Sequence, residues 1–279
     1  MTINPAALLA RAPIETRQSL TRRDTILYAL GVGADELRFV YEEDLAALPT
    51  MAVVMAYPGF IWRDPALGAD WAKILHGETM VEVHAPLPVE GELVGYTRFD
   101  AVDDKGAEKG AVVLQSRRIV DAAGTHVATA RNLSFLRGDG GCGSVGTPSA
   151  PLPKVPDDRA PDAVVTLRTA DNQAMIYRLS GDLNPLHIDP AVAARAGFRR
   201  PILHGLCSFG LAGRAVLRAL VDNDAGRIRK IGLRFSSPVF PGETIRTEIW
   251  HTGDGTAAFR AIVEERDLMV LNNGVVAYV

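Results

Sequence analysis

From Tyr177 to Asp189 the chain reads Tyr-Arg-Leu-Ser-Gly-Asp-Leu-Asn-Pro-Leu-His-Ile-Asp. A carboxylate, a carboxamide and an imidazole (Asp182, Asn184 and His187) fall within six residues. Gly181 and Pro185 are foreign to a helix interior, so the segment reads as a loop. A carboxylate and an imidazole held in one constrained loop can grip a water between them. One takes a proton from the water and the other delivers a proton to carbon. The ordinary reading of the same residues is turn chemistry, since Gly-Asp and Asn-Pro are common turn pairs. For Asp189-Pro190 that reading is preferred, as a helix N-cap followed by its first residue.

The elements that must position this loop are written around it. Residues 205–220 read Gly-Leu-Cys-Ser-Phe-Gly-Leu-Ala-Gly-Arg-Ala-Val-Leu-Arg-Ala-Leu. The first turns are apolar nearly all round, which predicts a buried helix. Gly210, Ala212, Gly213 and Ala215 would let a sheet wrap closely around it. Antiparallel strands are expected at about 93–101, 112–120 and 126–137, and again at about 245–250, 257–263 and 268–279. A curved antiparallel sheet around one buried helix is the hot-dog architecture.

The two groups of strands belong to diverged copies. Val81-Glu-Val-His-Ala-Pro-Leu-Pro-Val-Glu-Gly-Glu-Leu93 resembles Leu233-Arg-Phe-Ser-Ser-Pro-Val-Phe-Pro-Gly-Glu-Thr-Ile245, with one residue inserted. Each follows a Leu-His-Gly, at His76-Gly77 and at His204-Gly205. Leu27-Tyr-Ala-Leu30 echoes Ile176-Tyr-Arg-Leu179 in the same order. The expected class is therefore α+β, a double hot-dog. It comprises a degenerate repeat over 1–137, a Gly/Pro-rich linker over 138–161 and a second repeat over 162–279. Gly205 stands 28 residues before Leu233, but Gly77 only 4 before Val81. This predicts that the first copy has lost its central helix, and space left in that way serves naturally as a ligand groove.

Composition narrows the classes. The 279 residues carry a net charge of −3, with 47 % hydrophobic and 23 % charged residues. No overall basic excess argues for a nucleic-acid partner. No apolar run reaches membrane-spanning length. Two cysteines, Cys142 and Cys207, make no disulfide framework, and the first residues lack a signal-peptide core, so a cytoplasmic location is expected. Gly138-Asp-Gly-Gly-Cys-Gly143 fits a bare dinucleotide pattern, but no helix can follow it. A loop lining the substrate groove is the better expectation. His187, Asp189 and His204 lack any recognised metal spacing, so no metal is expected. Cys207 reads as core.

Ser180-Gly-Asp-Leu-Asn-Pro-Leu-His187, with Leu203-His-Gly205 after it, resembles the signature of the hydratase 2 (MaoC-like) family. Within it the chain is similar, from about Tyr28 onward, to the hydratase 2 domain of peroxisomal multifunctional enzyme type 2. The resemblance implies reversible hydration of trans-2-enoyl-CoA to (3R)-3-hydroxyacyl-CoA without a cofactor. It makes Asp182 and His187 the acid/base pair, Asn184 the residue that orients His187 or the water, and Gly205 N–H the donor to the thioester oxygen. Gly205 opens the buried helix, where free N–H groups favour negative charge. By the same resemblance His76, Gly77, Lys105, Leu183, Pro185, Leu186 and Phe235 contact the acyl-CoA. Arg199 and Arg200 are further phosphate candidates. Aligning Tyr28 with Tyr177 sets Gly33 opposite Asp182, so one active site per chain is expected. An acyl-CoA thioesterase and a non-catalytic acyl-CoA binding protein are the alternatives, and both a monomer and a homodimer fit.

Overall fold

The computed structural model describes residues 2–279. In chain order its helices are α1 (Pro5–Leu9), α2 (Arg22–Gly31), α3 (Leu37–Val40), α4 (Gln173–Tyr177), α5 (Pro190–Arg195) and α6 (Gly205–Val221). Its strands are β1 (Ile14–Leu20), β2 (Ile74–Val83), β3 (Gly91–Asp104), β4 (Ala111–Asp121), β5 (His126–Leu136), β6 (Val145–Gly146), β7 (Ala163–Arg168), β8 (Ile228–Phe235), β9 (Thr244–Gly253), β10 (Thr256–Val263) and β11 (Leu268–Tyr278). One sheet takes them in the order β1-β3-β4-β5-β2-β8-β11-β10-β9-β7, with β6 added beside β3. Read outward from the centre, the two halves have the same order, and the echoed strands β2 and β8 meet there antiparallel, with Val81 opposite Ile231. The second echo is also spatial. Tyr28 on α2 and Tyr177 on α4 approach with ring centroids 6.1 Å apart.

The strand alternation explains the sheet: β4 runs buried and half-buried in strict turn over most of its length, so one face covers the core. Helix α6 is buried through most of its length and rests against β7, β8, β9 and β11. Its small residues, however, do not face the sheet alone. A Cβ at Gly210 would come within 2.3 Å of Val32, and one at Gly213 within 2.5 Å of Thr50. They make room chiefly for the first repeat, whose own helix cannot fill that side.

The central helix of the first repeat is reduced to one 3-10 turn, Pro49–Val53, buried throughout. It lies before β2, not between His76-Gly77 and Val81. The pair His76-Gly77 sits inside β2, where the register with β5 skips between His76 and Glu78. The two Leu-His-Gly tripeptides thus occupy different elements, because a β-favouring run, Glu-Thr-Met-Val-Glu-Val, follows Gly77 where an apolar helix follows Gly205. The segment 138–161 is anchored at its start. Gly141 and Gly143 N–H donate to Asp104 at 2.8 and 2.7 Å, and β6 pairs with β3. The glycine-rich loop therefore packs on the β3–β4 turn and does not line the cavity beside residues 179–181. Among the described residues no helix is long and apolar enough to cross a membrane.

Candidate active site

Gly181 carries the chain out of a 3-10 turn at Arg178–Ser180 with φ of 114°, a conformation that favours glycine. Two short side-chain bonds then shape the loop. Asp182 accepts from Asn184 N–H at 3.1 Å, and Asn184 accepts from Leu186 N–H at 3.1 Å, capping the turn Pro185–His187. This turn carries the His187 ring inward to 8 % exposure. The ring is aimed by a main-chain carbonyl, since Nδ1–H donates to Ile202 O at 2.9 Å. Nε2 is left with its lone pair free. Burial also pushes the imidazole below its ordinary pKa, which keeps it neutral. Asn184 thus acts on His187 through the backbone turn, and Ile202 supplies the ring contact expected of Asn184.

His204 joins the pair. Its ring stacks on His187 at 3.7 Å, and its Nε2–H donates to the Asp182 main-chain oxygen at 3.1 Å. Burial and the neighbouring His187 lower its pKa to about 4. His204 is also the N-cap of α6, without any side-chain cap bond to the helix. Its carbonyl takes the Cys207 and Ser208 N–H groups, so Gly205 opens the helix on an exposed position with N–H groups still to satisfy. Sequence reasoning assigned His204 no role, although it stood in the quoted Leu203-His-Gly205.

Strands β8 and β2, one from each repeat, close the other side. Phe235 on β8 lies 3.2 Å from where a Gly205 Cβ would be, and His76 on β2 packs on Phe235 with centroids 4.7 Å apart. His76 Nε2–H donates to Asn132 at 3.2 Å, and burial lowers its pKa to about 4. Gly77 follows at the strand irregularity. Leu183 is 60 % exposed beside the loop, Pro185 is exposed and Leu186 is half-buried.

Lys105 stands apart from the catalytic loop. It pairs with Asp103 at 2.5 Å and borders an open recess of about 560 Å³ with Glu108, Lys109, Phe135 and Arg137. Phe135 of that recess is the strand partner of Leu75, while His76 pairs with Ser134 on the other face of β2 and β5. Arg199 and Arg200 stack over Phe240 instead, 4.7 and 5.2 Å from its ring centre.

On the opposite side a cavity of about 430 Å³ opens beside the loop, lined among others by Tyr28, Met51, Val54, Tyr57 and Ser180. It lies where the first repeat has only its 3-10 turn. Asp189 caps α5 through Ala191 and Val192 N–H. Cys207 is buried with its thiol toward Gly31 O.

Asp182, His187 and His204 offer ligand atoms within 4.8 Å of one another. Two rings stacked at 28° send their in-plane lone pairs side by side, which suits a tetrahedral ion poorly.

The fold is a double hot-dog in which Asp182, His187 and His204 cluster beside the start of α6. The chain belongs to the MaoC-like dehydratase family. A model described as MaoC like domain matches residues 154–273, and one described as MFE-2 hydratase 2 N-terminal domain matches residues 19–138. The chain is 44 % identical to 3-hydroxyacyl-thioester dehydratase Y of Mycobacterium tuberculosis, covering 93 % of each chain. It is 37 % identical to the peroxisomal enoyl-CoA hydratase 2 of Arabidopsis thaliana, over 96 % of this chain and 93 % of that one. The crystal structure of a MaoC-like dehydratase from Phytophthora capsici superposes with a TM-score of 0.90 at 38 % identity, covering 98 % and 97 % of the two chains.

Proposed function

We propose that the chain adds water reversibly across the double bond of 2-enoyl-CoA thioesters. The observation that carries this reading is the free Nε2 of a neutral His187 beside Asp182, next to the uncapped start of α6. Water held between Asp182 and His187 loses a proton to Nε2 as its oxygen bonds to C3. Electrons move from the double bond onto the thioester oxygen, and Gly205 N–H, at the positive end of the helix dipole, receives the enolate. The Asp182/His187 pair then returns one proton to C2, so both groups end as they began. His204 stiffens the pair by tying its stacked ring to the Asp182 main chain. The relatives' printed names, a dehydratase and a hydratase, are the two directions of this reaction.

The cavity beside Ser180 takes the acyl chain. The cationic recess with Lys105, Lys109 and Arg137 takes the phosphates of CoA, with the pantetheine passing His76 and Phe235. Two free thiols support a reducing, cytoplasmic setting.

The test follows loss of enoyl-thioester absorbance from trans-2-decenoyl-CoA. Wild type is expected to consume it without releasing thiol, and Asp182→Asn to be about 10² to 10⁴-fold slower. Release of free CoA would instead assign thioester hydrolysis, and an Asp182→Asn variant of full activity would remove the pair from the mechanism.

A further inference from the structure

We propose that Arg117, a residue of β4 outside the catalytic loop, sets acyl-chain selectivity by holding the wall of the cavity that stands where the first repeat lacks its helix. The inference rests on the reading that this cavity receives the acyl chain.

Arg117 is 3 % exposed and has no carboxylate partner among the described residues. A buried guanidinium without a counter-ion is costly to desolvate, so its bonds to the chain must offset that cost. Burial lowers its pKa only to about 10, so it stays a cation near neutrality. What it holds is specific. Nη2 donates to Ala52 O at 3.0 Å and to Val53 O at 2.7 Å. These carbonyls end the 3-10 turn Pro49–Val53, where unsatisfied C=O groups carry partial negative charge. Its guanidinium carbon also lies 5.1 Å from the centre of the Tyr57 ring.

The next strand makes room for this. A Cβ at Gly95 on β3 would stand 3.0 Å from Arg117 Cδ and 2.5 Å from Ala56 O. From β1, Gln18 accepts the Ala56 N–H at 2.7 Å. Residues 54–57 lie outside any helix or strand, yet Val54, Ala56 and Tyr57 line the cavity. Side chains from two flanking strands replace the missing helix, and Arg117 makes most of the bonds. A four-carbon acyl group is consumed at Asp182 and His187 before it reaches this wall, whereas a ten-carbon chain must lie along it. Arg117 is therefore a positioning residue whose effect grows with chain length.

Hydration of crotonyl-CoA and trans-2-decenoyl-CoA by folded Arg117→Met, Arg117→Lys and wild type tests this. Arg117→Met is expected to lower the decenoyl-to-crotonyl ratio of kcat/KM about tenfold. The loss should lie mainly in KM for the long substrate, and crotonyl turnover should stay near wild type. Arg117→Lys should recover part of the ratio, since an ammonium reaches the carbonyls but does not cover Tyr57 equally. A folded Arg117→Met enzyme with the wild-type ratio, or equal losses on both substrates, overturns the proposal. Should that variant fail to fold, Gln18→Leu loosens the same wall from β1 and must lower the ratio, and an unchanged ratio overturns it equally. Wild type that hydrates crotonyl-CoA but not decenoyl-CoA overturns the inference and leaves hydration standing. Hydration of neither overturns the functional reading itself.

Discussion

His187, His204 and His76 are all kept neutral by burial, and the consequences for activity and stability differ. The proposed mechanism needs the free Nε2 of His187, whose pKa lies below the usual 6.5. The kcat/KM profile is therefore expected to hold through neutrality and to fall on an acid limb below that value. A limb at or above pH 6.5 would remove His187 as the base. For stability, the unfolded chain binds protons on His76 and His204 below about 6.5, but the folded chain does so only near 4. Between those values the unfolded state holds more protons, so unfolding free energy falls as pH falls from 6.5 toward 4. Urea titrations at pH 7 and pH 5 check the sign, and equal values would contradict it. Asn184 acts through its cap. Asn184→Ala should cost about 1 kcal/mol locally, and with His187 less firmly held, kcat should fall about tenfold, with Asn184→Asp restoring most of it. Asp182, Asn184 and His187 were legible because side-chain types at short spacing carry their own signal. The Ile202 carbonyl was not, since every residue has one and only tertiary structure decides which faces an imidazole.

At the scale of elements, legibility followed burial pattern. Strands β3, β4, β5, β9, β10 and β11 were foreseen to within a few residues at most ends, because β3 and β4 alternate along most of their length and β10 is a short apolar run bounded by turn residues. Helix α6 was foreseen because a segment apolar nearly all round for its first turns has no other home than the core. The stretch from Leu37 to Lys73 was not foreseen. It consists of one short helix and four 3-10 turns, and elements this brief show no period. The matching Leu-His-Gly tripeptides misplaced the lost helix for the same reason, since three residues cannot distinguish a strand bulge from a helix start. The packing of α6 is the consequence with the clearest test. Gly213 meets Thr50 so closely that Gly213→Val must push the Pro49–Val53 turn away. Overpacking of this kind costs about 1–3 kcal/mol. The variant should melt lower than wild type and favour short substrates, because Met51 of the same turn lines the cavity proposed to take the acyl chain. A variant with unchanged melting would mean that the turn yields freely.

Across the whole molecule, one sheet and one clamp make the two repeats a single unit. Strand β8 pairs with β2 on one side and β11 on the other, so separating the repeats would expose an edge at the centre of the sheet. It would also bare the face of α6 that meets Val32 and Thr50. Behind that face, Arg214 of α6, 3 % exposed as a side chain, bonds Asp35 at 2.8 Å and Glu36 at 3.0 Å from the first repeat, and Arg218 bonds both again. Glu36 is the better buried of the two acids, and Arg218 and Arg214 lower its pKa against the opposing effect of burial. Replacing it by Gln leaves the buried Arg214 with the exposed Asp35 as its one carboxylate partner, which should cost about 2 kcal/mol. Because the clamp and the shared sheet tie both halves, that loss should lower the one transition seen for the entire chain and not split it. Far-ultraviolet circular dichroism reports the sheet, and Trp250 fluorescence reports the second repeat, although Trp62 and Trp71 of the first repeat contribute to the same signal. Urea curves by the two probes should coincide in wild type and move together in Glu36→Gln. A first-repeat transition at lower urea, with the second repeat still intact, would show that the catalytic half stands alone and that the helix-poor half is an addition to it.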